Sequence, residues 1–343
     1  NYIDFYDSAS NTIEVGAGAA IVANTGSITL DRDVYPVPFD ASVTSNANYA
    51  FLDQAAGAQS THTGADDGDV TVYAWIDDAD YDQSPTGQDQ IAATGGNTIS
   101  GTACGDCGPV VVKIYRGSDY RIQATAGNDI ATTNSIKSDG TTAENRTELG
   151  PITETEASSG VFELEFTLGH DSSYSQTAAT VIKQGDILTV EYTDPTDASG
   201  DSTYLATDSA TFDLRTGVLT SDKSVYVIGQ DVILSIIDDD LNLDSDSTET
   251  YGLDLIEWDS DAAEVLLDST SSFDPEPNGL RETGSNTGVF QTVIEFPSTL
   301  SSTALDRGEV VDLEYVDYGP SGADFYNDDT EDIGLSISSS NFG

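Results

Sequence analysis

Two acidic runs carry the residue types from which a cation site is built. Asp78-Ala79-Asp80-Tyr81-Asp82 and Asp240-Leu241-Asn242-Leu243-Asp244 place oxygen-bearing side chains at alternate positions. On an extended backbone alternate side chains share a face, so Asp78, Asp80 and Asp82 would present three oxygens together, as would Asp240, Asn242 and Asp244. A hard cation such as Ca2+ takes such a set, completed by backbone carbonyls and water. The runs are not EF-hands, because they lack its central Gly and its distal Glu. The competing reading is a solvated acidic loop, the ordinary state of such runs in an acidic chain. Recurrence of the runs at one station of an internal repeat favours binding. Glu154 and Glu282, which also recur, would add a carboxylate to each site. The expected cofactor is low-affinity Ca2+ or another divalent cation.

Other chemistry is thinner. The two cysteines form Cys104-Gly105-Asp106-Cys107, which admits zinc, redox and disulfide readings. Zinc needs further ligands, and the histidines are His62 and His170 alone. A thioredoxin-like site would open a helix after a strand, whereas Gly105, Gly108 and Pro109 signal a turn before Val110–Tyr115. A small disulfide between Cys104 and Cys107, formed outside the cytosol, is the expectation. Asn145-Arg146-Thr147 is an N-glycosylation sequon in a polar stretch, which suits an exported protein. The chain has no nucleophile motif, Walker loop or dinucleotide fingerprint, so no enzymatic activity is expected. Trp75 and Trp258 read as core residues and not as a sugar-stacking platform.

Strands must position these groups. Val70–Ile76, Val110–Tyr115, Val161–Phe166 and Ile187–Tyr192 are β-branched and aromatic, largely alternating, and bounded by Gly, Asp and Pro. An internal repeat organises them. Leu30–Tyr35 matches Thr220–Tyr226 on a Val-Tyr pair, and the acidic runs follow a strand in each half. Glu154-Thr155 with Gly160-Val161-Phe162 matches Glu282-Thr283 with Gly288-Val289-Phe290. Gln184-Gly185-Asp186 with Val190-Glu191-Tyr192 matches Arg307-Gly308-Glu309 with Leu313-Glu314-Tyr315. About seven strands per unit predict an all-β chain of tandem immunoglobulin-like β-sandwich domains. The boundaries fall at 27–215, with insertions near 42–69 and 88–108, and at 216–343. Residues 1–26 read as the end of a preceding domain or a donated strand. The short Arg215-Thr216-Gly217 junction predicts a restricted relative orientation.

With 61 Asp plus Glu against 11 Lys plus Arg, the net charge is −50 over 343 residues. Repulsion at that density calls for high ionic strength or bound cations, and scarcity of Lys and Arg disfavours nucleic acid as a partner. No run of apolar residues is long enough to span a bilayer, and Asn1 in place of Met points to a processed or internal fragment.

Two segments carry a family resemblance. Gly26-Ser27-Ile28-Thr29-Leu30-Asp31-Arg32-Asp33-Val34-Tyr35-Pro36-Val37-Pro38-Phe39 is similar to a segment of the large S-layer proteins of ammonia-oxidising archaea. Glu282-Thr283-Gly284-Ser285-Asn286-Thr287-Gly288-Val289-Phe290 resembles the recurring signature of their tandem immunoglobulin-like domains. The first repeat departs from that signature, since Glu154–Gly160 lacks its Gly and Asn. The resemblance implies a fraction of a longer polypeptide that forms an extracellular, self-assembling lattice at the cell surface, acidic, binding divalent cations and letting cations such as ammonium pass. The alternative expectation is an extracellular filament or adhesin subunit assembled by donor-strand exchange. Either way the partners are copies of itself and cations.

Overall fold

The computed structural model describes residues 22–38, 68–91, 99–100, 103–104, 108–127, 135–138, 147–170, 181–317, 319, 321 and 333–338. Cys107, Asn145 and residues 1–21 lie outside them, as does the side chain of Cys104. The disulfide, glycosylation and preceding-domain expectations therefore have no structural counterpart among the described residues.

The chain folds as two tandem immunoglobulin-like β-sandwiches. In the first, one sheet runs in the order Ser27–Leu30, Val70–Asp77, Val161–His170, Ile152–Glu154, Gln90–Ile91, with Ser135–Ser138 parallel to the long central strand. Its partner runs Thr147–Leu149, Asp119–Ala126, Val110–Arg116, Ile187–Asp194, Tyr204–Asp213, Val34–Pro36. The opening strand thus serves both layers. Ser27–Leu30 pairs antiparallel in one sheet, and after a kink at Asp31–Asp33 the chain crosses over, so that Val34–Pro36 lies parallel to the last strand. The second sandwich repeats the plan with a five-stranded sheet, Val218–Ser221, Asp231–Ile237, Val289–Glu295, Glu276–Glu282, Thr250–Tyr251. Opposite it lies a four-stranded sheet, Glu264–Leu266, Ile256–Asp259, Asp312–Asp317, Ile333–Ser338.

Alternation drives this packing. Val70, Val72, Ala74 and Ile76 point inward and are buried, as are Val232, Leu234 and Ile236 at the matching stations of the second unit. Trp258 fills the second core against Phe273 and Phe296. Trp75 does not join the first core. It stands one residue out of phase with Ala74 and Ile76, so its ring lies half-buried on the outer face, stacked on Tyr73, with its indole N–H donating to Glu163. The pleat settles its side, and ring size has no vote.

Candidate metal centre and domain joint

In each sandwich the acidic run follows the strand that ends at Asp77 or Ile237, but the backbone there is not extended. Asp78 and Asp238 each cap a single 3-10 turn, Ala79–Tyr81 and Asp239–Leu241, by accepting from the N–H of Asp80 and Asp240. A short acid two residues before a free N–H closes this cap readily. The turn places Asp78 at the station of Asp238, Asp80 at that of Asp240, and Asp82 at that of Asn242. The two runs are therefore in register two residues away from the alignment of their alternating oxygens.

Asp78 and Asp80 serve the fold. Asp78 accepts the phenol of Tyr192, as Asp238 accepts that of Tyr315 at 2.6 Å. Beside each, a second buried acid takes the incoming glycine N–H: Asp194 from Gly26 at 2.8 Å and Asp317 from Gly217 at 2.7 Å. Asp80 accepts the N–H of Asn24 at 3.1 Å, and Asp240 that of Arg215 at 2.7 Å. Burial pushes Asp78 above the ordinary carboxylate range, against the Tyr192 hydrogen bond. Asp238 is raised by burial and then by the charge of Asp317, and Asp240 by burial and then by Asp238. Tyr192 and Tyr315 are held protonated by burial and by their acid partners.

Asp82 and Glu154 do meet, with a third carboxylate that the run did not contain. Asp82, Asp89 and Glu154 bring one carboxylate oxygen each within 4.8 Å of one another, the one such group among the described residues. Backbone holds two of the three. Asp89 Oδ2 accepts the N–H groups of Gln83 and Ser84, both at 2.6 Å. Glu154 Oε2 accepts from Asp89 N at 3.0 Å, and its Oε1 from Gly160 N at 2.9 Å. The N–H of Asp89 is the main reason that Glu154, though buried, is held below the usual carboxylate range. Among the described residues no Lys or Arg side chain pairs with any of the three. Three convergent hard oxygens without a basic partner are a fit for Ca2+ or a similar cation, with water and carbonyls completing the shell.

The second sandwich rebuilds the turn and neutralises it differently. Asn242 replaces Asp82, Glu249 replaces Asp89, and Glu282 keeps the place of Glu154. Glu249 Oε1 accepts Leu243 N at 2.9 Å and Asp244 N at 2.6 Å, while Glu282 Oε1 accepts Thr287 N at 2.7 Å and Gly288 N at 3.0 Å. The remaining oxygen of each, Oε2, is buried without a donor. Burial, and then the facing Glu282 carboxylate, push Glu249 up to about 8. Asn242 is taken by the first sandwich: Arg32 Nη1 donates to its carbonyl at 2.6 Å and Nη2 to its Oδ1 at 3.0 Å. Asp240, Asn242, Asp244 and Glu282 are thus not assembled around one point.

Around Arg32 the two sandwiches interlock. Thr71 N donates to Leu243 O at 2.8 Å, Tyr73 OH to Asp244 Oδ1 at 3.1 Å, and Ser245 Oγ to Asp31 Oδ2 at 2.7 Å. Arg215, in the short junction, pairs with Asp239. A polar cleft of about 280 Å³ remains between Val34, Pro36 and Asp213 on one side and Asp239, Asn242 and Asn286 on the other.

Asp89, Glu249 and Arg32 were not singled out by spacing. The first two stand seven residues after Asp82 and Asn242. That constant interval is the signal that would have found them.

No family model matches the chain, and no curated protein matches it. Among solved structures, the type II cohesin dyad from the adaptor ScaA scaffoldin of Acetivibrio cellulolyticus is similar at 11% identity. The match covers 86% of this chain and 88% of that one, with a TM-score of 0.15. A likeness of that degree carries no argument about function.

Proposed function

We propose that the chain is a structural module of an extracellular, self-assembling surface lattice, held by divalent cations and permeable to small cations. The observation that carries this reading is the interlocked joint. Arg32, Thr71, Tyr73 and Asp31 of one sandwich engage residues 242–245 of the next, so that the tandem behaves as one stiff acidic body. A tile of a lattice needs that stiffness, since a loosely tethered pair has no defined repeat distance. The divalent ion belongs at Asp82, Asp89 and Glu154, where it would neutralise three carboxylates at an end of the first sandwich. The remaining charge, near −50, draws cations and repels anions at any opening between tiles.

Electron microscopy of concentrated protein with Ca2+, repeated after chelation, tests the reading. A two-dimensional array that loosens on chelation supports it. One-dimensional fibres would favour a filament subunit over a lattice tile, joined by strand donation or by end-to-end contacts between copies. Dispersed particles under every condition would overturn it.

A further inference from the structure

The far end of the second sandwich repeats the surface by which the first sandwich grips the second. In the first, Asp31 Oδ1 accepts Tyr73 N at 2.9 Å and the phenol of Tyr35, while its Oδ2 pairs with Arg32 Nε at 3.4 Å. In the second, Asp222 Oδ1 accepts Ile233 N at 3.0 Å and the phenol of Tyr226 at 2.8 Å, while its Oδ2 pairs with Lys223 Nζ at 3.3 Å. Lys223 therefore stands at the station of Arg32, and Ile233 at that of Tyr73. The difference lies in what covers them. The Arg32 and Asp31 side chains are 8% and 4% exposed under the second sandwich, whereas Lys223 and Asp222 are 47% and 26% exposed. Around Lys223, Val225, Val227 and Ile233 are open to solvent at 46%, 67% and 41%, an apolar patch beside a cation. Val225 and Val227 correspond to Val34 and Pro36, which face the second sandwich across the cleft.

The receiving surface also recurs. Asp82, Gln83 and Ser84 hold the stations of Asn242, Leu243 and Asp244, on a turn built from the same cap and the same acid-held backbone. Entry into the first sandwich is made like entry into the second: Thr25 Oγ1 accepts Ala198 N and Thr216 Oγ1 accepts Ser321 N, each at 3.2 Å. Asp82 at the Asn242 station adds a negative charge where a basic side chain would arrive.

We infer that a second copy of this chain docks head to tail, with Lys223 and the Val225–Val227–Ile233 patch of one copy set on the Asp82–Ser84 turn of the next. The occupant follows from continuity with the internal joint and from charge complementarity between Lys223 and Asp82. Such a contact is heterologous, pairing two different surfaces of the chain, so it does not close on itself and growth is open. The inference rests on the lattice reading and deepens it by naming one of its contacts; because Asp82 is shared with the proposed cation site, the docking is measured in chelator.

Sedimentation equilibrium of the whole chain tests it, run at about 0.5 M salt, where net repulsion is screened within a few ångströms. The wild type should associate, in steps of its 36.1 kDa mass, at concentrations on the order of 10⁻⁴ M, as expected of a small interface. Lys223→Asp should lower the association constant by at least ~10-fold, and Asp82→Lys in the same chain should restore it. Lys223→Arg, which supplies the fork that Arg32 uses, should raise it. Circular dichroism confirms that each variant folds. A wild type that stays at 36.1 kDa, or Lys223→Asp association equal to wild type, would overturn the docking. Thermal shifts with Ca2+ on wild type and Lys223→Asp read the cation separately: loss of that shift in both sinks the ion site and leaves the docking standing.

Discussion

Stability of the second sandwich should fall as pH rises, and one residue should account for a measurable share of the fall. Glu249 is raised to about 8 in the folded chain, by burial and by the facing Glu282. Its unfolded value is near the ordinary ~4.3. Between those values the folded state holds a proton that the unfolded state has lost. The stabilisation is complete below the unfolded pKa and disappears as pH climbs through the folded one. At about 1.4 kcal/mol per pH unit for one proton, the ceiling from about pH 5.5 to about pH 8 is about 3 kcal/mol. Relaxation around the ionised pair lowers this to about 1–3 kcal/mol, or roughly 3–9 °C in Tm for a unit of this size. Asp238 and Asp240, also raised, add to the wild-type slope, so a variant must isolate Glu249. Glu249→Gln does so. Its Oε1 keeps the N–H groups of Leu243 and Asp244, and its amide donates permanently to Glu282 Oε2, now without a donor. Scanning calorimetry in chelator should show the variant more stable than wild type at about pH 8, equal near about pH 5.5, and with a flatter pH slope. A variant less stable than wild type at both values, or a slope unchanged, would refute the raised Glu249.

Three further perturbations test other parts of the structure. Ca2+ at about 100 times its Kd should stabilise the first sandwich by about 2.7 kcal/mol, and Glu154→Gln should remove that gain, as read by thermal shift. Gly217→Ala should cost about 1–3 kcal/mol, because a Cβ there would lie 2.6 Å from Tyr315 Cε1 and 2.7 Å from Asp238 Oδ2, and urea titration measures it. Arg32→Ala should cost about 2 kcal/mol of coupling between the sandwiches, splitting one calorimetric transition into two and broadening the small-angle scattering envelope.

Much of the fold is written in local pattern. Alternation in Val70–Ile76 and the repeated Glu-Thr and Gly-Val-Phe stations are set by the pleat and by recurring turns, so they survive as readable sequence. The site is less legible because its geometry depends on one local choice. Asp78 closes a 3-10 cap in place of continuing the strand, and that turn sends Asp82 away from Asp78 and toward Glu154. Asp89 joins them from seven residues further along the chain, where spacing by twos has no reach. Trp75, expected in the core, faces out because it stands one residue out of phase with the inward-facing Ala74 and Ile76. Arg32 is the hardest case, because its partner Asn242 is 210 residues away and nothing local marks the pair.

The parallel pairing of Val34–Pro36 with Thr211–Asp213 has a mechanical meaning. These are the first and last strands of their sheet, and they run the same way, so tension applied to the two ends of the sandwich slides one along the other. All of their ladder bonds then resist at once, and none can be opened singly as in an antiparallel hairpin pulled from its free ends. Tension along the tandem would therefore meet this pairing in its strongest direction.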